Sequence, residues 1–343
     1  MSVQFRAEKE YLTFHDPTQG GALTDRLTEV RFDPLTGETS RIIYDSGAPF
    51  SPPDYSEAAQ LTGGSKCPFC PENVLASTPA FPESLVPGGR ITKGEAVAFP
   101  NLFPYAKHNA VVRMCDQHYV RLEQFTVRTV ADSLLAASDY IARVLKTDSR
   151  AAHLSVNWNY LPPSGGSILH PHLHVLASEQ QTRYGRLTAE AAQRFYSQHG
   201  KSYYLELLAE ERKRGERWVG QKESLAWVHA YAPKGHLDFV GIFEDARSFG
   251  ELGDRHWFAL AESMIRFFAY FRQAGLASFN MAMQIPVEAE EAGRVHVRLV
   301  PRMTIGLLGT SDMNVFNYLH SEYLCLKVPE KIAPAAAEFF KEN

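Results

Sequence analysis

Three histidines alternate in the segment Ser164-Gly165-Gly166-Ser167-Ile168-Leu169-His170-Pro171-His172-Leu173-His174-Val175-Leu176. Alternate positions of a strand share one face, so the spacing predicts that His170, His172 and His174 converge while Leu173, Val175 and Leu176 serve as core or flank. An imidazole near neutral pH can act as nucleophile, general acid or base, or metal ligand. Three of them beside a Gly-Gly-Ser turn suit attack on phosphorus and transfer through a phosphorylated or nucleotidylated histidine. The plainer alternative is a metal clip or a set of satisfied core histidines. A second chemistry-bearing pair stands at Cys67-Pro68-Phe69-Cys70. With only four cysteines in the chain, it suggests metal or redox work more than a structural disulfide.

The elements that must position these groups can be read from periodicity. Residues 154–161 form a strand, then a Pro-Pro-Ser-Gly-Gly turn, then the histidine strand, an antiparallel pair. Val111 and Val112 mark a short strand after His108. Leu122 to Val144 has helical spacing with Thr126 as N-cap, and Thr188 to Gln198, Tyr203 to Gly215 and Asp254 to Gln273 are further helices. Pro and Gly crowd the stretch from Gly47 to Gly64, where neither helix nor strand is expected.

At 343 residues and 45% hydrophobic content the chain can bury a large core, in two domains or one composite. A net charge of −4 with no basic block argues against a nucleic-acid groove, although a mononucleotide needs only a few local cations and amides. The first residues lack an apolar signal core and no run reaches membrane-spanning length, so a cytoplasmic protein with no membrane partner is expected.

The second half echoes the first. Ser155-Val-Asn-Trp-Asn resembles Ser278-Phe-Asn-Met-Ala, residues 104–112 resemble 231–240, and the histidine strand resembles Val295-His296-Val297-Arg298, in the same order and about 125 residues apart. This predicts an N-terminal catalytic domain over 1–200 and a related C-terminal domain over 201–343 that lacks the nucleophile.

His170-Pro171-His172 after Asn159 and Ser167, with Cys67-Pro-Phe-Cys70 and Asn101-Leu-Phe-Pro upstream, resembles the galactose-1-phosphate uridylyltransferase branch of the histidine triad superfamily. The resemblance covers residues 66–178 well and the rest loosely. It implies an α+β fold of two histidine-triad-like domains, antiparallel sheets with helices packed on one face. It also implies that His172 attacks the α-phosphorus of a nucleoside diphosphate sugar and that a phosphorylated acceptor, such as a sugar 1-phosphate, discharges the adduct. The His170 carbonyl would orient His172; Ser167 and the Gly165 and Gly166 amides would touch phosphate oxygens. Asn159 would stand on the phosphate side and Asn101 at the nucleotide. Zinc is implied as cofactor, held by Cys67, Cys70, His118 and His170, with His108 as rival third ligand. A homodimer is the assembly considered.

Three departures stand out. Leu102 replaces an aspartate, which leaves the base open. His174 replaces a glutamine, as in the nucleotide hydrolases of the superfamily, and keeps hydrolysis or phosphorolysis as the alternative reaction. Gln284 and Arg298 stand where some members place histidines of a second metal site, leaving His296; no second metal is expected, and Arg298 is read as pointing toward a phosphate. A nucleotide-binding regulatory protein with a relic triad is the remaining reading.

Overall fold

The alternation His153-Leu-Ser-Val-Asn-Trp-Asn-Tyr160 makes a strand with Leu154, Val156, Trp158 and Tyr160 buried on one face and four polar residues on the other. In the computed structural model, which describes residues 3–43, 52–306 and 308–341, this strand lies at the middle of a ten-stranded sheet. The strands in chain order are β1 (Arg6–Asp16), β2 (Ala22–Phe32), β3 (Thr39–Ile43), β4 (Ile91–Lys93), β5 (Ala96–Pro100), β6 (His108–Arg113), β7 (His153–Tyr160), β8 (His172–Ser178), β9 (Trp218–Lys222), β10 (Leu225–His229), β11 (Phe239–Phe243), β12 (Ser278–Pro286), β13 (His296–Arg302), β14 (Thr304–Ile305), β15 (Thr310–Ser311) and β16 (Tyr323–Cys325). The helices are α1 (Ser56–Thr62), α2 (Val74–Ser77), α3 (Val127–Thr147), α4 (Arg183–His199), α5 (Tyr203–Arg214), α6 (Asp254–Gln273), α7 (Val315–Leu319) and α8 (Pro329–Ala337).

The large sheet runs β4-β5-β6-β8-β7-β12-β13-β11-β10-β9, every neighbour antiparallel. On either side of the β7–β12 pair the strands follow the same order, and α3 and α6 occupy matching places in the chain. The two halves thus share one continuous sheet through eight register pairs between β7 and β12. A smaller sheet, β1-β2-β3-β16, joins the two ends of the chain, with β16 parallel to β3.

Helices α3, α6 and α8 cover one face of the large sheet. There Trp158 meets Phe125, Phe268 and Phe279 edge-on at centroid distances of 5.3, 5.9 and 5.0 Å. Such pairs add about 0.5–1.5 kcal/mol each beyond area burial, so the site strands are braced from behind. On the other face, α4 and α5 pack over β10 and β11 together with Val3, Phe5 and Leu35, and the Cys67–Val74 segment packs over β5 and β6. Thr126 caps α3 by accepting the Thr129 amide at 3.0 Å. The expectation of no helix between Gly47 and Gly64 is corrected by α1; residues 47–51 of that stretch lie outside the described residues. Among the described residues no helix is long and apolar enough to cross a membrane.

Candidate active site and metal centre

The histidine segment is a strand only from His172 onward. Pro171 has no N–H to donate, and His170 stands before β8 with its ring fully buried. The expected three-on-a-face arrangement therefore divides into two jobs. His172 and His174 stay on the open face, with rings 5.1 Å apart, next to Arg113 and Val111 of β6 respectively. His170 turns instead toward the cysteine pair.

There the Nδ1 of His170 lies 3.7 Å from the Cys67 Sγ and 3.8 Å from the Cys70 Sγ, and the Nδ1 of His118 lies 3.7 Å from the Cys70 Sγ. All four ligand atoms fall within 4.8 Å of one another. A tetrahedral zinc with bonds of about 2.0–2.3 Å has edges of about 3.3–3.8 Å, so the donor set fits such an ion in kind and spacing. Both imidazoles are anchored at the other nitrogen, as metal-binding histidines usually are: the His170 Nε2 is 2.7 Å from the Cys115 carbonyl and the His118 Nε2 is 3.1 Å from the Thr62 hydroxyl. Burial lowers His170 to about 4 and also lowers His118, which keeps both in the neutral, ligating form. Burial pushes the Cys67 thiol up to about 11, a cost that a bound cation would reverse.

His118 is placed by α1. A Cβ on Gly63, at the end of that helix, would come within 2.9 Å of the Ala59 carbonyl and 3.0 Å of the His118 ring. The rival His108 is elsewhere: its Nε2 is 2.8 Å from Asp148, whose carboxyl is held well below the usual range by Lys107 and then His108. His118→Ala is accordingly expected to lower bound metal, and His108→Ala to leave it unchanged; elemental analysis of the two purified variants checks this, and the opposite pattern would move the third ligand.

The Nδ1 of His172 lies 2.7 Å from the His170 carbonyl, so that nitrogen carries the proton and Nε2 is left with its lone pair. The ring is buried beside the Phe69 edge at 5.3 Å, and burial lowers its pKa. His174 is lowered to about 4 by burial, and its Nδ1 is buried without a hydrogen-bond partner.

The remaining expected contacts are placed less simply. Gly165 (φ +87°) and Gly166 lie in the turn before Ser167, and a Cβ at Gly166 would meet the Asn159 carbonyl at 3.0 Å. Their amides, expected to face phosphate, donate instead to the Pro162 and Leu161 carbonyls at 2.9 and 3.2 Å, because so tight a turn must satisfy itself. Ser167 is exposed. Asn159 accepts the Asn280 amide at 2.7 Å, and the same amide donates to the Ser164 carbonyl at 2.9 Å, tying the turn to β12. Asn101 is occupied in its own loop, donating to Asn109 at 2.9 Å and accepting the Phe103 amide at 3.1 Å. That loop sets Tyr105 5.7 Å from the His174 ring.

Several contributors escaped the sequence reading. Cys115 acts through its carbonyl and leaves no side-chain signal. Asn280 could have been found from the repeat, as the counterpart of Asn157 in Ser155-Val-Asn157. Arg298 departs from expectation: its Nε is 2.9 and 3.0 Å from the two Asp238 oxygens, its Nη2 reaches Asp238 Oδ2 at 2.5 Å, and its Nη1 donates to the Tyr184 hydroxyl at 2.6 Å. Asp238 is fully buried and needs that countercharge, which takes Arg298 away from any phosphate.

Two cavities lie over the open face: one of about 670 Å³ over the second half, and one of about 800 Å³ that straddles the β7–β12 seam, from Leu154, Ser155 and Leu176 to Gln284 and His296. Neither is lined by His172 or His174, but Tyr105 lines the larger one.

No family model matches the chain. An uncharacterized protein of Archaeoglobus fulgidus is 32% identical over 340 residues, 99% of this chain and 100% of that protein. Among solved structures, an ADP-glucose phosphorylase from Arabidopsis thaliana with bound ADP-glucose matches with a TM-score of 0.69 at 16% identity, over 91% of this chain and 98% of that one. A GalT-like protein from Arabidopsis thaliana matches with a TM-score of 0.68 at 16% identity (90% and 98%), and a uridylyltransferase with 0.65 at 20% identity (91% and 98%). At these identities the three share its fold.

Proposed function

We propose, for a chain that belongs to one family with the Archaeoglobus fulgidus protein and has the galactose-1-phosphate uridylyltransferase fold, that it transfers a nucleoside monophosphate from a nucleoside diphosphate sugar to a phosphorylated acceptor through His172. The observation that carries this reading is the His172 Nδ1 fixed at 2.7 Å on the His170 carbonyl. It fixes the tautomer and leaves Nε2 as a neutral nucleophile.

In the first step the Nε2 lone pair forms a bond to the α-phosphorus, and the bond to the bridging oxygen breaks. The sugar 1-phosphate leaves with that electron pair. The Nδ1 proton stays on the ring, and its bond to the His170 carbonyl stabilises the positive charge of the adduct. In the second step an acceptor phosphate oxygen attacks the same phosphorus and the imidazole leaves neutral. Cys67, Cys70, His118 and His170 would hold zinc as a closed structural site, stiffening the turn before β8. Ser167, Asn159 and Asn101 remain the proposed nucleotide contacts. Because the Gly165 and Gly166 amides are already bonded, the glycines contribute close backbone approach. The matching strand order on both sides of β7–β12 supports two related units, over 1–200 and 201–343.

His174 favours a second reading, nucleotide-sugar or dinucleotide hydrolysis or phosphorolysis through the same histidine. Its ring stands 5.1 Å from that of His172, and an imidazole there can pass a proton to or from an attacking water or phosphate. Intact-mass measurement after incubation with a panel of nucleoside diphosphate sugars separates the two. Transfer predicts an adduct of one nucleoside monophosphate that accumulates without acceptor and disappears on adding a sugar 1-phosphate, whereas discharge by inorganic phosphate alone, with release of a nucleoside diphosphate, marks phosphorolysis. His174→Gln should then preserve transfer, since glutamine still donates to a phosphate oxygen. Steady monophosphate release, indifferent to any acceptor and slowed by His174→Gln, would establish hydrolysis instead.

A further inference from the structure

The open face carries polar side chains that the proposed reaction does not use. In register across the sheet, Leu176 of β8 pairs with Ser155, Ser155 with Gln284, and Gln284 with His296 of β13. His296 thus stands three strand spacings, about 14 Å, from β8. It opens β13 as His172 opens β8, and its Nδ1 lies 2.9 Å from the carbonyl of Arg294, two residues earlier, as that of His172 lies on His170. Its ring stacks on Tyr204 with centroids 4.9 Å apart.

Tyr204, Gln284 and His296, together with Thr188, line both cavities and form the wall between them. Thr188 is satisfied by carbonyls of its own helix. The Tyr204 hydroxyl, the Gln284 amide and the His296 Nε2 have no hydrogen-bond partner among the described residues. The Gln284 amide carries no charge, and burial raises Tyr204 and lowers His296, which favours the neutral form of each. In the 670 Å³ cavity the two partly buried cations are already matched. Arg298 lies on Asp238; Lys234 lies 2.8 Å from Glu38 and over the rings of Tyr184 and Tyr323 at 4.5 and 4.9 Å. The remaining cation of that cavity, Arg183, is at the exposed rim.

A bare imidazole nitrogen accepts a hydrogen bond and cannot offer one. A phosphate dianion brings only acceptors, whereas a sugar or nucleoside hydroxyl brings the donor that His296 lacks, and aromatic walls suit a ring. We propose that Tyr204, Gln284 and His296 form a binding site, separate from His172, for an uncharged, hydroxyl-bearing ring compound, either a free sugar or a nucleoside.

The test is calorimetric titration of the full-length, metal-loaded protein with glucose, galactose, adenosine and uridine, and with the phosphate ester of each. At least one neutral compound is expected to bind one per chain, its ester about tenfold or more weaker. Which arm binds, hexose or nucleoside, identifies the ligand, and either supports the site. His296→Ala, Gln284→Leu and Tyr204→Phe should each weaken binding about three- to tenfold, the loss of one hydrogen bond. Tyr204→Phe removes only a hydroxyl, and melting of each variant identifies one that misfolds. His172→Ala should bind as the parent does, whether or not the proposed transfer reaction is correct. No binding by any neutral compound, esters that bind as tightly, side-chain variants that fold and bind unchanged, or loss of binding in His172→Ala would each overturn the proposal.

Discussion

His172→Ala is expected to abolish turnover, by about 10⁴-fold or more, and to leave no nucleotidyl adduct in the mass spectrum. The size follows from what is removed. The variant loses the atom that bonds to phosphorus, and no other histidine on the open face has its Nδ1 fixed in this way beside β6. His174 is the nearest ring, but its Nδ1 has no partner to set the tautomer. Damage to the fold should be small, about 1–2 kcal/mol, because the single hydrogen bond lost is the one to the His170 carbonyl. His170 keeps its own anchor on Cys115, so metal content should stay at the parent value. Turnover within tenfold of the parent, with an adduct still forming, would place the nucleophile elsewhere.

That separation of roles was only half legible in the sequence. The alternation of His170, His172 and His174 marks the segment as special, but alternation alone puts all three on one face. Pro171 decides otherwise by delaying the strand to His172, and tertiary contact with the cysteine loop then draws His170 away. The choice between His118 and His108 turned on Gly63 and α1. Seven residues after a proline-rich run give too weak a periodic signal to be read as a helix, yet that helix carries the Thr62 hydroxyl bonded to His118. The long elements were legible because each has its own signal: Thr126 before α3, and an apolar stripe over Asp254–Gln273 that α6 matches in both bounds. What the residues could not give was the joining of the two halves. The β7–β12 register pairs residues roughly 120 positions apart, and nothing local specifies it. Backbone duties are hidden in the same way, since the Cys115 carbonyl and the amides of Gly165 and Gly166 act without any side chain to betray them.

Cys67→Ser or Cys70→Ser is expected to remove about one zinc per chain and to lower the melting temperature by at least about 5 °C, with chelation of the parent protein doing the same. Metal binding to isolated zinc-finger peptides contributes about 10–16 kcal/mol, but here only part of that depends on the ion, because the sheet and its aromatic backing stand without it. The loss should be local: the ion would join residues 67–70, the turn around His118 and His170, two residues before β8, three segments otherwise linked by few hydrogen bonds. Turnover per folded molecule should fall less, about tenfold, through looser placement of the His170 carbonyl that orients His172. The two variants therefore make opposite demands on the same measurements. His172→Ala should keep metal and lose chemistry with a melting temperature lowered by no more than a few degrees, whereas Cys67→Ser should lose metal and more stability while a folded remnant still forms the adduct. Parent protein that is free of metal and fully stable by elemental analysis and melting would refute the zinc assignment. A cysteine variant as inactive as His172→Ala yet undiminished in stability would instead put the metal in the chemistry itself.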